Sequence, residues 1–155
     1  MPGSIERSVA AEAIRTTLAR YCRYVDSGNS DALSQLFYAN SEYRPMAGRD
    51  SYRGPVGVRQ FFVDLKAEFI AAMKAGGPVP PRLKHHLSLP DIEFISDTEA
   101  SVETRFAVYS TIGLDHTGYY LDQLSPAEAG DWRFTYREIC LDWVNPESAL
   151  NALLA

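Results

Sequence analysis

The sequence predicts an α+β fold in which N-terminal helices cover one mouth of a strongly curved, mainly antiparallel sheet around an apolar pocket. Apolar residues follow helical spacing through most of the first half of the chain. In the second half, apolar and polar residues alternate as in strands. The longest alternating run, residues 100–112, is too long to stay flat in a small domain, so the sheet is expected to twist and curl.

Three helices are predicted in the first half. The first runs from about Ser4 to Val25 and ends at Ser27-Gly28, because Gly28 suits the left-handed residue after a helix end. Ser30 is expected to cap a short second helix, which carries Leu33, Leu36 and Phe37. The third helix begins at Gly54-Pro55, with proline at its first position, and ends at Gly76-Gly77-Pro78.

The strands follow from alternation and from the turn residues between them. A first hairpin is predicted from residues 42–46 and 51–53, and a short helix follows Asn145-Pro146. Four longer strands are expected over residues 84–95, 100–112, 118–124 and 132–144. In the last strand the apolar residues switch from one face to the other between Tyr136 and Ile139. This switch indicates either a bulge in the strand or a strand end that is buried on both faces, once inside the domain and once against a partner.

Composition places the chain among ordinary globular proteins. Its 155 residues fit a single domain, residues 1–155, and 46% are hydrophobic. The formal net charge of −5 argues against nucleic-acid and anionic-membrane partners, since either needs a basic face. No apolar run approaches the ~20 residues of a membrane span. Cys22 and Cys140 are interpreted as free thiols in a reducing cytoplasm, although a disulfide is not excluded.

A carboxylate at the end of an apolar helical stripe is the first candidate for chemistry. Ile14, Leu18, Cys22 and Asp26 follow one another at single-turn spacing. An acid on a buried face is costly unless it is partnered. The alternative is that Asp26 merely bonds the turn of residues 27–29, as aspartate often does.

Histidines and tyrosines supply the possible partners. His85 and His86 open a strand and must point to opposite faces, but the alternation does not decide which of them faces inward. A histidine in a strand is also compatible with a purely structural role. His116 is expected to be solvated in a hairpin, and most of the nine tyrosines are expected to pack in the core. No metal cluster, P-loop, Rossmann glycine motif or serine-nucleophile elbow is found.

Four segments together resemble the SnoaL-like branch of the nuclear transport factor 2 (NTF2-like) superfamily, and more specifically its scytalone dehydratase-type and dehydrochlorinase-type members. The resemblance covers nearly the whole chain. It is carried by residues 21–37, 52–55, 85–94 and 118–134. It implies an NTF2-like cone, with helices packed on a curved mixed, mainly antiparallel sheet. By motif position it assigns a proton-abstracting histidine to His85 and its supporting aspartate to Asp26.

The leading functional hypothesis is a cofactor-independent lyase or isomerase of dehydratase or polyketide-cyclase type. His85 would act as general base, Asp26 would orient it, and a phenol such as Tyr21 would polarise a substrate oxygen. The substrate would be a small, largely apolar molecule with a carbonyl or a ring. The residues expected to contact it are Tyr43, Met46, Phe62, His86 and Tyr120.

A second hypothesis is a non-catalytic ligand-binding or assembly module, resembling the small subunit of ring-hydroxylating dioxygenases. There Asp26 and His85 would form a structural hydrogen bond. A closed apolar cavity touching His85 would favour catalysis, and a cavity filled by aromatic side chains would favour the module. Both hypotheses include a homodimer through the sheet face, with Ile139, Leu141 and Trp143 contributing.

Overall fold

The computed structural model describes residues 3–46 and 48–154 and contains helices packed against one sheet. The helices are α1 (Ser4–Ser27), α2 (Ser30–Ser34), α3 (Gly54–Lys74) and α4 (Asn151–Leu154), with a short 3₁₀ helix at Glu128–Gly130. The strands are β1 (Phe37–Arg44), β2 (Tyr52–Arg53), β3 (Lys84–Leu87), β4 (Asp91–Phe94), β5 (Ala100–Ser110), β6 (Gly113–Pro126) and β7 (Trp132–Val144).

The seven strands form a mixed sheet in the order β2-β1-β7-β6-β5-β3, and β4 also pairs with β5. β1 and β7 run parallel, while the other pairs are antiparallel. This arrangement confirms the predicted α+β class with a mixed, mainly antiparallel sheet. Among the described helices, none is long and apolar enough to cross a membrane.

Helix α1 forms where its apolar stripe meets the sheet. It buries Ile14, Leu18, Tyr21 and Cys22, and the carboxylate of Glu6 accepts a hydrogen bond of 2.6 Å from the Gly3 N–H at its beginning. A negative charge is favoured there by the helix dipole. Gly28 ends the helix with φ of 68°, the left-handed conformation predicted for it. Asp26 therefore lies in the last turn, beside the sheet.

The region after α1 differs from the prediction in two details. Asn29, and not Ser30, caps α2: its side-chain oxygen accepts a hydrogen bond of 3.1 Å from the Ala32 N–H. Phe37 begins β1 and does not belong to the helix. Five residues are too few to carry the apolar stripe that the spacing indicated, and the Phe37 ring is instead buried against the aromatic core.

The predicted strand over residues 84–95 is two strands, β3 and β4, both paired with β5. The break covers residues 88–90, where Pro90 has no N–H for the ladder. The next hairpin turns tightly between Ser110 and Gly113, so β6 begins five residues earlier than predicted. His116 therefore lies within β6 and is buried, which corrects the expectation of a solvated turn residue.

A bulge in β7 explains the change in apolar phase. Gln123 pairs with Tyr136 and Leu124 with Phe134, so that Thr135 is the extra residue. Trp132 and Phe134 are buried before the bulge, and Arg137 is buried after it. Because the inward face continues from Arg137, Ile139 and Leu141 pack half-buried against the core. Trp143 is 45% exposed. The dimer contact predicted for Ile139, Leu141 and Trp143 stays a prediction.

Gly118 allows β6 and β7 to approach closely, and its replacement by alanine should destabilise the protein. A Cβ atom at this position would clash with the Cys140 carbonyl oxygen and lie 2.7 Å from Cζ of Phe106. Overpacking of this kind costs about 1–3 kcal/mol. We expect a loss of at least this size in the free energy of unfolding of Gly118→Ala, measured by urea denaturation.

Gly57 provides the matched control, since it lies within α3 and a Cβ there would make contacts of 3.4 Å or more. Gly57→Ala should be neutral or stabilising by about 0.5–1 kcal/mol, because glycine weakens a helix interior. Equal effects of the two substitutions would contradict the close approach at Gly118.

Candidate active site

The Asp26 carboxylate and the His85 imidazole lie in direct contact. Asp26 Oδ1 is 2.6 Å from His85 Nδ1. The backbone N–H of His85 also donates to the same carboxylate, at 3.1 Å to Oδ2 and 3.3 Å to Oδ1. The side chains are 8% exposed for His85 and 15% for Asp26. The structure thus joins the end of α1 to β3 through one nearly buried acid/base pair, and Asp26 is not merely a turn residue.

This contact determines which imidazole nitrogen is basic. A carboxylate only accepts hydrogen bonds, so Nδ1 carries the proton and Nε2 is left with its lone pair. His86 points the other way: it is exposed, and its ring lies 5.2 Å from that of Tyr109. The structure therefore settles the choice that alternation left open, in favour of His85 as the inward histidine.

A second histidine–aspartate pair lies beside the first. His116 Nδ1 is 2.8 Å from Asp115 Oδ1, and the His116 ring centroid is 6.4 Å from that of His85. The ring of Phe106 adjoins both imidazoles, at 6.5 Å from His85 and 6.1 Å from His116. Two imidazoles consequently share one apolar wall.

Asp115 is held by several donors. Ser148 Oγ donates at 2.6 Å and Ser110 Oγ at 2.7 Å. Burial alone would raise the pKa of Asp115, but the hydrogen bonds from Ser148, His116 and Ser110 hold it below its usual value. Burial also lowers the pKa of His116, despite the attraction of Asp115. His116 is therefore a neutral imidazole at neutral pH, with Nδ1 bound to an ionised carboxylate.

A fully buried ion pair occupies the space between α1 and the sheet. Arg137 Nε and Nη2 each lie 2.7 Å from an oxygen of Asp122, and both side chains are 0% exposed. The guanidinium carbon is 4.0–4.2 Å from the ring centroids of Tyr21, Tyr120 and Phe134. Burial disfavours the cation, but Asp122 raises the pKa of Arg137, so the guanidinium remains charged. Its Nη1, which has no hydrogen-bond partner among the described residues, is left to the aromatic rings.

The predicted phenols belong to this aromatic core. The hydroxyls of Tyr21 and Tyr43 are 3.0 Å apart, and both residues are buried. Burial raises the pKa of each phenol, so both stay neutral hydrogen-bonding groups. From Tyr21 the ring contacts lead through Tyr120 and Phe106 to His85. Two aromatic rings therefore separate Tyr21 from His85. The predicted contact between the Tyr21 hydroxyl and a substrate oxygen stays a prediction.

Two open spaces border the Asp26–His85 pair. The first, which we call the edge cleft, has a volume of about 590 Å³ and lies between residues 19–27 of α1 and residues 84–87 of β3. The second, which we call the helix groove, has a volume of about 550 Å³. It lies between residues 24–28 at the end of α1, residues 62–69 of α3 and residues 80–83. Asp26 lines both spaces, and His85 lines the edge cleft.

The residues predicted to contact substrate are dispersed. Phe62 lines the helix groove, and His86 borders the edge cleft while packing on Tyr109. Tyr43 and Tyr120 are buried in the core. Met46 lines a separate cavity of about 880 Å³ beside residues 138–144 of β7. An apolar pocket was expected inside the cone. Around Arg137 this volume is instead filled by packed aromatic rings, and the edge cleft and the helix groove lie at its margin.

Sequence reasoning missed His116, Asp115, Asp122 and Arg137. Asp122 could have been found, because it alternates in phase with the buried Tyr120 and Leu124. Arg137 was concealed by the bulge at Thr135, and the Asp115–His116 pair by the misplaced turn. Within the described ranges, no group of three or more histidine, cysteine, aspartate or glutamate side chains is placed to hold a metal ion.

A family profile described as the SnoaL-like domain matches residues 6–138. No significant match was found among curated proteins.

Solved structures from Novosphingobium species share the fold. A proposed scytalone dehydratase from N. aromaticivorans is similar with a TM-score of 0.74 and 21% identity, over 92% of this chain and 91% of that one. The hexachlorocyclohexane dehydrochlorinase LinA-type3 from N. barchaimii has a TM-score of 0.75 and 15% identity, over 93% and 94%. An NTF2-like protein with a cystatin-like fold from N. aromaticivorans has a TM-score of 0.67 and 24% identity, over 93% and 88%. These likenesses confirm the predicted NTF2-like architecture.

Removing the charge of Asp122 should strongly destabilise the protein. Asp122→Asn leaves a fully buried guanidinium without its counter-charge, a change that costs about 3–5 kcal/mol. Urea denaturation measures this loss directly. Glu103→Gln is the control, since the Glu103–Arg105 pair is 3.6 Å apart and largely exposed, and such pairs contribute about 0–1 kcal/mol. Similar losses for the two variants would contradict the assigned role of the buried pair.

The lowered pKa of His116 should make stability fall in mild acid. The unfolded chain binds this proton near the ordinary value of about 6.5, whereas the folded protein binds it at lower pH. The free energy of unfolding should therefore decrease as pH falls from about 7 through 6.5 and below, until the folded pKa is passed. Two titratable groups face His116 and influence its titration. Asp115 raises the pKa of His116, and His85 lowers it.

His116→Gln should flatten this part of the curve, measured by urea denaturation between about pH 5 and 8. The exposed His86→Gln is the control and should leave the slope unchanged. A wild-type slope in His116→Gln would show that another group is responsible.

Proposed function

This chain belongs to the SnoaL-like domain family, and on that basis we propose that it is a cofactor-independent lyase or isomerase of the dehydratase or cyclase type. The observation that carries the proposal is the 2.6 Å contact between Asp26 and His85 at the border of two open spaces. Two of the solved structures that share the fold are named for elimination reactions, a proposed scytalone dehydratase and a hexachlorocyclohexane dehydrochlorinase.

In the proposed reaction His85 is the general base. Its Nε2 removes a proton from a carbon next to a carbonyl or to a leaving group, and the electron pair of the C–H bond forms the new double bond. Asp26 holds Nδ1–H, orients the ring and stabilises the imidazolium that results. When the leaving group is water, the same proton returns to the departing oxygen, so that no external acid is consumed.

His116 extends the proposal on the leaving-group side. With ring centroids 6.4 Å apart, His85 and His116 can both reach one small substrate. A neutral His116 with Nδ1 bound to Asp115 presents Nε2 to the shared apolar wall formed by Phe106. We assign it the role of orienting the substrate oxygen, directly or through a water molecule. Tyr21 keeps its proposed role as an additional donor to that oxygen.

The non-catalytic module is the second candidate, and two observations favour it. The rings around Arg137 fill the space between α1 and the sheet. The Asp26 carboxylate also accepts the backbone N–H of His85, a contact that a purely structural tie between α1 and β3 would require. In that case, the pair would contribute to stability and carry no reaction. The homodimer through the outer sheet face belongs to both candidates and is supported by the exposed Tyr109 and Leu121.

Proton abstraction can be tested before the substrate is known. α-Tetralone is a compact apolar ring ketone with exchangeable hydrogens next to its carbonyl, and NMR in heavy water follows their replacement by deuterium. We expect the protein to accelerate this exchange and His85→Asn to lose at least about 100-fold of the acceleration, the usual contribution of a general base. Asp26→Asn should also slow exchange, because the imidazole loses its orienting carboxylate.

His86→Asn is the matched control, since His86 is the neighbouring exposed histidine. It should retain the wild-type exchange rate, and all three variants should melt close to the wild type. Exchange that survives in His85→Asn would contradict the assignment of the base. Loss of thermal stability in His85→Asn and Asp26→Asn, with no exchange in the wild type, would favour the structural module.

A further inference from the structure

Basic side chains are distributed unevenly between ion pairs and the two open spaces. On much of the surface an arginine is neutralised by a carboxylate: Arg20 pairs with Asp131, Arg49 with Glu68 and Arg59 with Asp31. Around the Asp26–His85 pair the basic residues are not neutralised in this way. These residues are Arg23, Lys66, Arg82 and Lys84. All four are exposed, and none of them forms an ion pair with another residue in the described ranges 3–46 and 48–154.

These cations surround a single acid. Arg23 and Lys84 line the edge cleft, while Lys66 and Arg82 line the helix groove. Of the described residues that line either space, Asp26 alone is acidic, and its carboxylate is engaged by His85. The surroundings of the candidate base are therefore positive, although the chain as a whole has a net charge of −5. Such a local field attracts anions.

The helix groove combines this charge with an apolar lining. Leu33, Phe62, Leu65 and Phe69 contribute side chains from α2 and α3, and Pro80 and Pro81 close the opposite wall. A volume of about 550 Å³ is in the range of small-molecule sites. Apolar walls with two cations and no free acid are complementary to a molecule that has an apolar body and one negative group.

The edge cleft fits this description less well. Arg23 packs over the ring of Tyr24 at 5.0 Å and donates to its hydroxyl at 3.2 Å, so this cation already has a partner. The other lining residues include Ser27, Lys84 and His86, and few apolar side chains. The helix groove is therefore the better seat for an apolar body.

We propose that the helix groove binds an apolar organic anion, a ring or short chain that carries a carboxylate or a phosphate, with Lys66 and Arg82 binding the negative group. This names the substrate class for the proposed function and rests on it, because Asp26 connects the groove to His85. The apolar body lies against Phe62 and Phe69, and the anion stays at the rim. The uncharged end of the substrate then lies toward Asp26, which lines the groove and contacts His85.

The test uses three naphthalene ligands that share one apolar body: α-naphthoate, α-naphthyl phosphate and the neutral α-naphthamide. Binding to the full chain is measured by calorimetry at low salt. We expect at least one anion to bind about tenfold more tightly than the amide, because only an anion makes charge contacts with Lys66 and Arg82. Comparison of the two anions identifies the preferred group. The preference should weaken as salt is added.

Three double variants locate the anion. Lys66→Gln with Arg82→Gln should remove the preference while leaving α-naphthamide binding unchanged. Arg15→Gln with Arg133→Gln removes two charges from residues that line neither space and should keep the preference. Arg23→Gln with Lys84→Gln should also keep it.

Four outcomes would overturn the proposal: equal affinity for anions and amide, no binding at millimolar concentration, an unchanged preference in the Lys66/Arg82 variant, or its loss only in the Arg23/Lys84 variant. These measurements need no turnover. Failure of the binding proposal is therefore distinguishable from failure of proton exchange at His85.

Discussion

One carboxylate connects the two halves of this protein. Asp26, at the end of α1, accepts both the backbone N–H and the imidazole N–H of His85 on β3. The same contact places the helix end against the sheet, orders the imidazole and leaves Nε2 as the basic nitrogen. A helix that ended one turn earlier would leave the histidine without a partner. The position of the helix end and the chemistry that we propose therefore depend on the same atoms.

Deeper in the molecule, charge and aromatic rings stabilise each other. Arg137 and Asp122 are wholly buried, and the guanidinium is covered by Tyr21, Tyr120 and Phe134. Leaving either charge unpaired in this environment would be costly, so the rings and the ion pair form one unit. Because this unit fills the space between α1 and the sheet, the open spaces next to Asp26 and His85 lie at its margin. The reaction that we propose would take place at this margin, between α1, α3 and β3.

The distribution of surface charge distinguishes the outer surface from the region around the two open spaces. Many arginines are paired with carboxylates on the outside, and the cations near the two open spaces are not. The exposed cations give an acidic protein a locally positive rim at the two open spaces, and such a field attracts anions. The second pair, His116 and Asp115, borders the same region from β6 and is tied through Ser148 to the segment that precedes α4. Three parts of the chain that are distant in sequence therefore meet at the candidate site.

Local patterns in the sequence determined the class of fold and the three main helices, and the resemblance to the SnoaL-like family suggested the paired roles of Asp26 and His85. These depend on periodicity and on short motifs, which neighbouring residues carry in full. The tertiary structure alone decided that His85 and not His86 faces inward, that His116 is buried, and that Arg137 lies at the centre. A single extra residue at Thr135 reverses the facing of the rest of β7, and a turn moved by a few residues brings His116 into a strand. Such shifts in register are determined by packing between distant strands, and no local pattern encodes them.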